Sequence, residues 1–248
     1  MLYNTLFKSD KKKLAVLIDP GKIDISELKN TVSVADKSGV DFFLVGGSII
    51  SQTVDETVDI IKQNSDLPII LFPGSVYQLS EKADAVLLLS LISGRNPEFL
   101  IGNHVTAAPF LKKSNLEIIS TGYILIDGGS KTSVEYMSNT KPIPADKSDI
   151  IVATAVAGEM LGLSAIYLEA GSGAKNPVKD FVVKSVKENI TVPLIVGGGI
   201  KTEKELHEIC KAGADIIVTG TAFEKEPNLI RKFAKIIHDY PYPGKACH

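Results

Sequence analysis

Several things are scarce in this chain, and each scarcity excludes something. Its 248 residues include two cysteines, Cys210 and Cys247, which have no metal-ligand spacing and make no disulfide framework. That usage fits a reducing compartment. Neither sign of charge dominates: 27 Lys and Arg against 29 Asp and Glu leave a formal net charge of −2. Such a balance gives no electrostatic case for nucleic acid as a main partner. No apolar run reaches the roughly 18 residues a membrane span needs. The opening MLYNTLFKSDKKK lacks the apolar stretch of a secretory signal. The expectation is a cytoplasmic protein with no stable membrane insertion.

What is present is the make-up of an ordinary globular protein, 44% hydrophobic and 23% charged. A chain of this length forms one large domain or two small ones and buries a sizeable core. Short apolar runs recur along it: LAVLID (14–19), DFFLVGGS (41–48), LPIILFPGS (67–75), DAVLLLS (84–90), LEIISTGYILID (116–127), SAIYLEAGSG (164–173), VPLIVGGG (192–199) and ADIIVTGT (214–221). Continuous apolarity of this kind belongs to parallel strands buried on both faces. Helical patterns lie between most of them. Thr53-x-x-Glu56 and Thr202-x-x-Glu205 read as capping boxes, and Pro97, Pro177 and Pro227 stand where a first helical turn tolerates proline. Eight alternations predict an α/β chain folded as a single (β/α)8 TIM barrel over residues 1–248, with a doubly wound open sheet as the alternative.

Two units depart from the rhythm. About a dozen residues, PGSVYQLSEKA, separate the third and fourth strands, too few for a full helix and two loops. The third helix is therefore expected to be missing or reduced to one turn. The fifth unit is stretched, with a polar loop from Gly128 to Ser148 before IIVATAVAGEML. That helix is apolar or small on nearly every face, which predicts burial, in part against another subunit.

In such barrels the active site forms at the C-terminal ends of the strands. Those ends carry Asp19-Pro-Gly-Lys22, Gly46-Gly-Ser48, Pro73-Gly-Ser75, Gly122-Tyr123, Glu169-Ala-Gly-Ser-Gly173, Gly197-Gly-Gly199 and Gly220-Thr221. The glycines after the seventh and eighth strands fall where barrels commonly bind phosphate, although tight turns alone would also use them. Gly171 and Gly173 leave main-chain N–H groups bare for an anion. Glu169 is a lone carboxylate where an apolar strand meets that loop, which is costly unless it is paired or put to use. Asp19 and Ser48 on neighbouring strands could hold Mg²⁺, or could simply cap local turns, which is the commoner use of such residues. Lys22 could meet a second phosphate or stay solvated. His104, on a helical face with Leu100 and Leu111, reads as packed, and Cys210 as core.

Taken together, the Asp19-Pro opening, YLEAGSG, VGGGI, TGT and the long STGYILIDGG…TSVEYMSNT…PIP segment resemble geranylgeranylglyceryl phosphate synthases, from about residue 8 to residue 238. The similarity is to the branch shared by some archaea and Bacteroidetes, related to bacterial heptaprenyl enzymes. The resemblance implies a Mg²⁺-dependent prenyltransferase that alkylates a hydroxyl of sn-glycerol 1-phosphate with a C20 prenyl diphosphate. It places metal ligands on Asp19 and Ser48, reversing the preference for caps. It places glycerol-phosphate contacts on Tyr167, Leu168, Glu169, Ala170, Gly171, Ser172 and Gly173, on Gly198 and Gly199, and on Gly220 and Thr221. Glu169 then faces the glycerol hydroxyls as the catalytic carboxylate. The missing third helix leaves an opening for the lipid chain, and dimers or hexamers of this chain are implied. Two other classes are weighed against it: another phosphate-binding barrel, such as an isomerase or synthase acting on a phosphosugar, and a catalytically silent barrel used in assembly.

Overall fold

Each apolar run becomes a strand, and the strands close on one another. The computed structural model describes residues 1–49, 53–220, 223 and 229–241. Its strands are β1 (Lys13–Ile18), β2 (Phe42–Val45), β3 (Ile69–Leu71), β4 (Ala85–Leu91), β5 (Glu117–Leu125), β6 (Ala165–Glu169), β7 (Leu194–Gly197) and β8 (Ile216–Thr219). Each pairs in parallel with the next, and β8 returns to β1 with Val16 opposite Thr219, so the barrel leaves no open sheet edge. The absence of polar alternation has its cause here. Strands such as β3, β6 and β7 are buried at every residue because one face fills the barrel and the other meets helices.

The outer ring comprises α1 (Ile25–Ser38), α2 (Val54–Asn64), α3 (Asn103–Lys113), α4 (Ser133–Ser138), α5 (Ser148–Met160), α6 (Asp180–Lys187), α7 (Glu203–Ala212) and α8 (Leu229–Asp239). Thr202 and Glu205 make the full reciprocal capping box, and Thr53 accepts from the Glu56 N–H. Pro97 directly precedes a short π-helical turn, Glu98–Gly102. Pro177 differs from expectation: it lies in the loop three residues ahead of α6, while Pro227 is outside the described residues. Between β3 and β4 there is one 3-10 turn, Val76–Gln78, as the dozen-residue spacing demands.

The long segment after β5 is not a plain loop. Ile126 bridges to Ile143, and Thr132 caps α4 by accepting from the Glu135 N–H. Helix α5 buries Ile151, Ala155 and Gly158, but Ile150, Met160 and the following Leu161 are 49%, 82% and 79% exposed. Its apolar circumference is therefore not all covered within one chain. At the opposite end of the barrel from the glycine-rich rim, a π-helical turn (Tyr3–Phe7) inserts Leu6 and Phe7 among the barrel's interior residues. Glu117 accepts from the Leu2 and Tyr3 N–H groups, and the Tyr3 hydroxyl donates to the Ser164 carbonyl at 2.7 Å. No helix among the described residues is long and apolar enough to cross a membrane.

Candidate active site

The C-terminal ends of the strands surround a cavity of about 540 Å³. One end is polar. Asp19 follows β1, and its Oδ1 accepts from the Gly21 N–H at 3.0 Å while Oδ2 meets Lys22 Nζ at 2.8 Å. Lys22 Nζ also reaches Ser172 Oγ at 3.3 Å, so this one side chain links the loops after β1 and β6. The loop after β2 presses its main chain on the Asp19 carboxylate: a Cβ at Gly47 would lie 2.6 Å from Asp19 Oδ1. Ser48 comes next, also lining the cavity. That loop is held by Gln78 of the 3-10 turn, whose amide donates to the Gly47 carbonyl at 2.7 Å and accepts from the Gly47 and Gly74 N–H groups.

The β6 stretch divides by the alternation of a strand. Tyr167 and Glu169 point into the cavity, as do Ser172 and Gly173 beyond the strand end. Leu168 packs its side chain into the layer between barrel and helices, and Ala170 is buried in that same layer, so any acceptor contact of these two would be through the main chain. Gly171 also corrects the expectation of bare N–H groups throughout this loop, since its N–H donates to Glu169 Oε1 at 2.6 Å. The bare groups lie around it. The N–H groups of Ser172, Gly173, Gly198, Gly199 and Gly220, all at the cavity wall, find no acceptor among the described residues. Thr221 lies outside the described residues. Gly198 is required by geometry: at φ +81° its Cβ would overlap Glu169 Oε1 and lie 2.7 Å from the Gly171 N.

Glu169 is 5% exposed. Burial raises its carboxyl from an ordinary 4.5 to about 7, against the pull of the Gly171 N–H and the Tyr167 hydroxyl toward the charged form. That hydroxyl lies near the carboxylate, and it and Thr219 Oγ1 are buried with no hydrogen-bond partner of normal geometry among the described residues. Lys22, the nearby cation that could have neutralised Glu169, is held by Asp19 instead. Lys201 is a residue the sequence reading missed: it lines the cavity and donates to the Ala174 carbonyl at 2.7 Å. Its place two residues after Gly199 was the available signal.

The other end of the cavity is apolar. Val76, Leu79, Leu88, Leu89, Phe99 and Val134 line it, with Val76 from the 3-10 turn and Ala107 from α3 among the residues at its wall. His104 lines it too, more than simply packed: its Nε2 meets Ser90 Oγ at 3.0 Å, its Nδ1 is buried without a partner among the described residues, and burial pushes the imidazole below its ordinary value. Cys210 is core, as read, with burial raising its thiol to about 11.

This sequence matches the PcrB family over residues 8–237. It is 50% identical over 228 residues to a geranylgeranylglyceryl phosphate synthase of Chitinophaga pinensis, covering 92% of this chain and 90% of that one. The identity to the synthase of the same name from Pyrococcus furiosus is 45% over 220 residues, covering 88% and 87%. Among solved structures, the fold is similar to that of (S)-3-O-geranylgeranylglyceryl phosphate synthase from Thermoplasma acidophilum in complex with its substrate sn-glycerol-1-phosphate. That likeness has a TM-score of 0.87 and 36% identity over 92% of this chain and 94% of that one.

Proposed function

The chain belongs to the PcrB family, and from that premise we propose that it is a prenyltransferase joining sn-glycerol 1-phosphate to geranylgeranyl diphosphate through an ether bond. One observation carries the reading: a single cavity holds five N–H groups without an acceptor among the described residues and a buried carboxylate at one end, and an apolar arm at the other. A phosphosugar isomerase would use the first end and have no use for the second.

The five N–H groups take the acceptor's phosphate, with Lys22 and Lys201 adding positive charge nearby. Glu169 and the unpartnered Tyr167 hydroxyl face the glycerol oxygens. The donor's isoprenoid chain lies in the apolar arm. The allylic C–O bond breaks with both electrons leaving on the diphosphate oxygen. A glycerol oxygen forms the new C–O bond, and its proton passes to Glu169. A carboxyl held at about 7 is a stronger base than an ordinary carboxylate and remains substantially ionised at neutral pH.

Asp19 and Ser48 fit a hard divalent cation. Both offer oxygen, both line the cavity, and the Gly47 main chain leaves the carboxylate in contact with the β2 loop. They would hold Mg²⁺, which when bound offsets charge on the departing diphosphate. A cation there would release Lys22 to an incoming phosphate. The exposed side chains of Ile150, Met160 and Leu161 support a homo-oligomer formed through the α5 face, and a reducing cytoplasm suits the free thiol of Cys210.

The test is direct. Purified protein given sn-glycerol 1-phosphate, Mg²⁺ and prenyl diphosphates of C15, C20 and C35 is expected to release diphosphate and form the glyceryl ether phosphate, with the highest kcat/KM for C20. A higher value for C35 would overturn the chain length, and no ether from any donor would overturn the activity.

A further inference from the structure

Barrel interiors are usually filled by branched aliphatic side chains. This one places three aromatic rings at the floor of its cavity instead. Phe72 follows β3, Tyr123 is on β5 and Tyr167 on β6. Every pair is in contact, with ring centroids 5.9 Å apart for Phe72 and Tyr123, 5.4 Å for Phe72 and Tyr167, and 5.3 Å for Tyr123 and Tyr167. All three line the cavity with Glu169, and they pack in the same interior cluster as Leu89, Phe99 and Val134 of its apolar lining. The triangle therefore stands where the phosphate-binding end meets the lipid end, which is where the reacting carbon of a prenyl diphosphate must lie.

We propose that Phe72, Tyr123 and Tyr167 form an aromatic cradle that stabilises the allylic cation generated when the donor's C–O bond ionises. The inference rests on the prenyltransferase reading above and adds residues to it. Ionisation sends the electron pair out with diphosphate and leaves positive charge spread over the allylic carbons. The π-faces attract that charge electrostatically. They do so without offering a lone pair that would trap the cation, whereas collapse onto the Glu169 carboxylate would make an ester in place of the ether. The glycerol oxygen then captures the cation and its proton goes to Glu169, so atoms and charge balance. Burial and the neighbouring Glu169 push both phenols well above their ordinary 10, which keeps the rings neutral through the reaction.

Fluorination removes electron density from an aromatic face while hardly changing its shape. Phe72 is replaced by mono-, di- and trifluorophenylalanine, and single-turnover ether formation is measured with saturating sn-glycerol 1-phosphate and geranylgeranyl diphosphate. Binding of geranylgeranyl thiolodiphosphate, which resists ionisation, is measured on the same proteins. The expected result is a logarithm of rate that falls linearly with each fluorine, reaching about tenfold or more at three, while affinity for the analogue stays within about twofold. Phe72→Leu should lose at least as much rate as the trifluoro variant. A flat fluorine series in an active enzyme, or a loss matched by weaker analogue binding, overturns the cradle alone. Wild-type protein that makes no ether overturns the prenyltransferase reading, and the cradle with it.

Discussion

Glu169→Gln probes chemistry and stability at once, because the wild-type carboxyl is held far from its unfolded value. Between its ordinary 4.5 and about 7, the folded protein keeps a proton on Glu169 that the unfolded chain has lost. The folded state binds more protons, so stability falls as pH rises through that window and levels off above it. Shifting a carboxyl over that interval corresponds to about 3 kcal/mol, at about 1.4 kcal/mol per factor of ten. The Gln variant carries no such titration, and its side-chain carbonyl can still accept the Gly171 N–H. It should match wild type near pH 4.5 and exceed it by about 3 kcal/mol at pH 8, or roughly 6–12 °C in Tm for a chain of this size. The chain has no tryptophan, so urea unfolding is followed by far-UV circular dichroism at both pH values. Activity should move the other way, with kcat reduced about 10²–10⁴-fold. The rise of wild-type kcat/KM with an inflection near 7 should vanish in the variant. A stability difference between the two proteins that is independent of pH would refute the argument, as would a Gln variant within about threefold of wild-type kcat when chemistry limits the rate.

Three further outcomes are expected. Gly198→Ala should destabilise the fold by about 1–3 kcal/mol from its backbone conformation alone, and weaken glycerol phosphate binding more than donor binding, measured by calorimetry; wild-type behaviour in both would remove Gly198 from the site. Asp19→Asn should abolish binding of Mn²⁺ used as a paramagnetic stand-in for Mg²⁺ and abolish turnover, yet hold glycerol phosphate affinity within about threefold; loss of acceptor binding with an unchanged rate at saturating acceptor would reassign the residue. Light scattering at micromolar concentration should give a mass well above 26.6 kDa, and Met160→Lys with Leu161→Lys should lower it; a wild-type monomer would exclude assembly through α5.

Much of the fold was readable because parallel strands buried on both faces run apolar with no polar alternation, as β3 and β7 do throughout and β6 does up to Glu169. Spacing alone reduced the third helix to one turn. Three departures from the sequence pattern have identifiable causes. The polar stretch after β5 looked like a loop because its six-residue helix α4 is too short for a periodic stripe, although Thr132-x-x-Glu135 was a start signal in plain view. Leu168 was grouped with its neighbours at the acceptor site, yet strand alternation turns its side chain away from those of Tyr167 and Glu169, leaving only its main chain on that side. Gly171 was read as a bare donor because sequence shows a glycine loop and not which N–H folds back on the preceding carboxylate. The contacts of Gln78 and the triangle of Phe72, Tyr123 and Tyr167 join residues from separate βα units, and only barrel closure brings them together.

The shortened third unit and the apolar arm have one cause. A full helix between β3 and β4 would pack its apolar stripe over this part of the barrel, filling the space that Val76, Leu79, Leu88 and Phe99 now border. Removing the helix opens that space, but it also removes the usual support for the loops after β2 and β3. Gln78 supplies the replacement: one nearly buried amide, 2% exposed, ties Gly47 and Gly74 together from the single turn that remains. Its bonds hold the loop that presses on Asp19 and carries Ser48. The residue that compensates for the lost helix on the lipid side thus also fixes the oxygen donors on the polar side, and the two ends of the cavity are shaped by the same dozen residues.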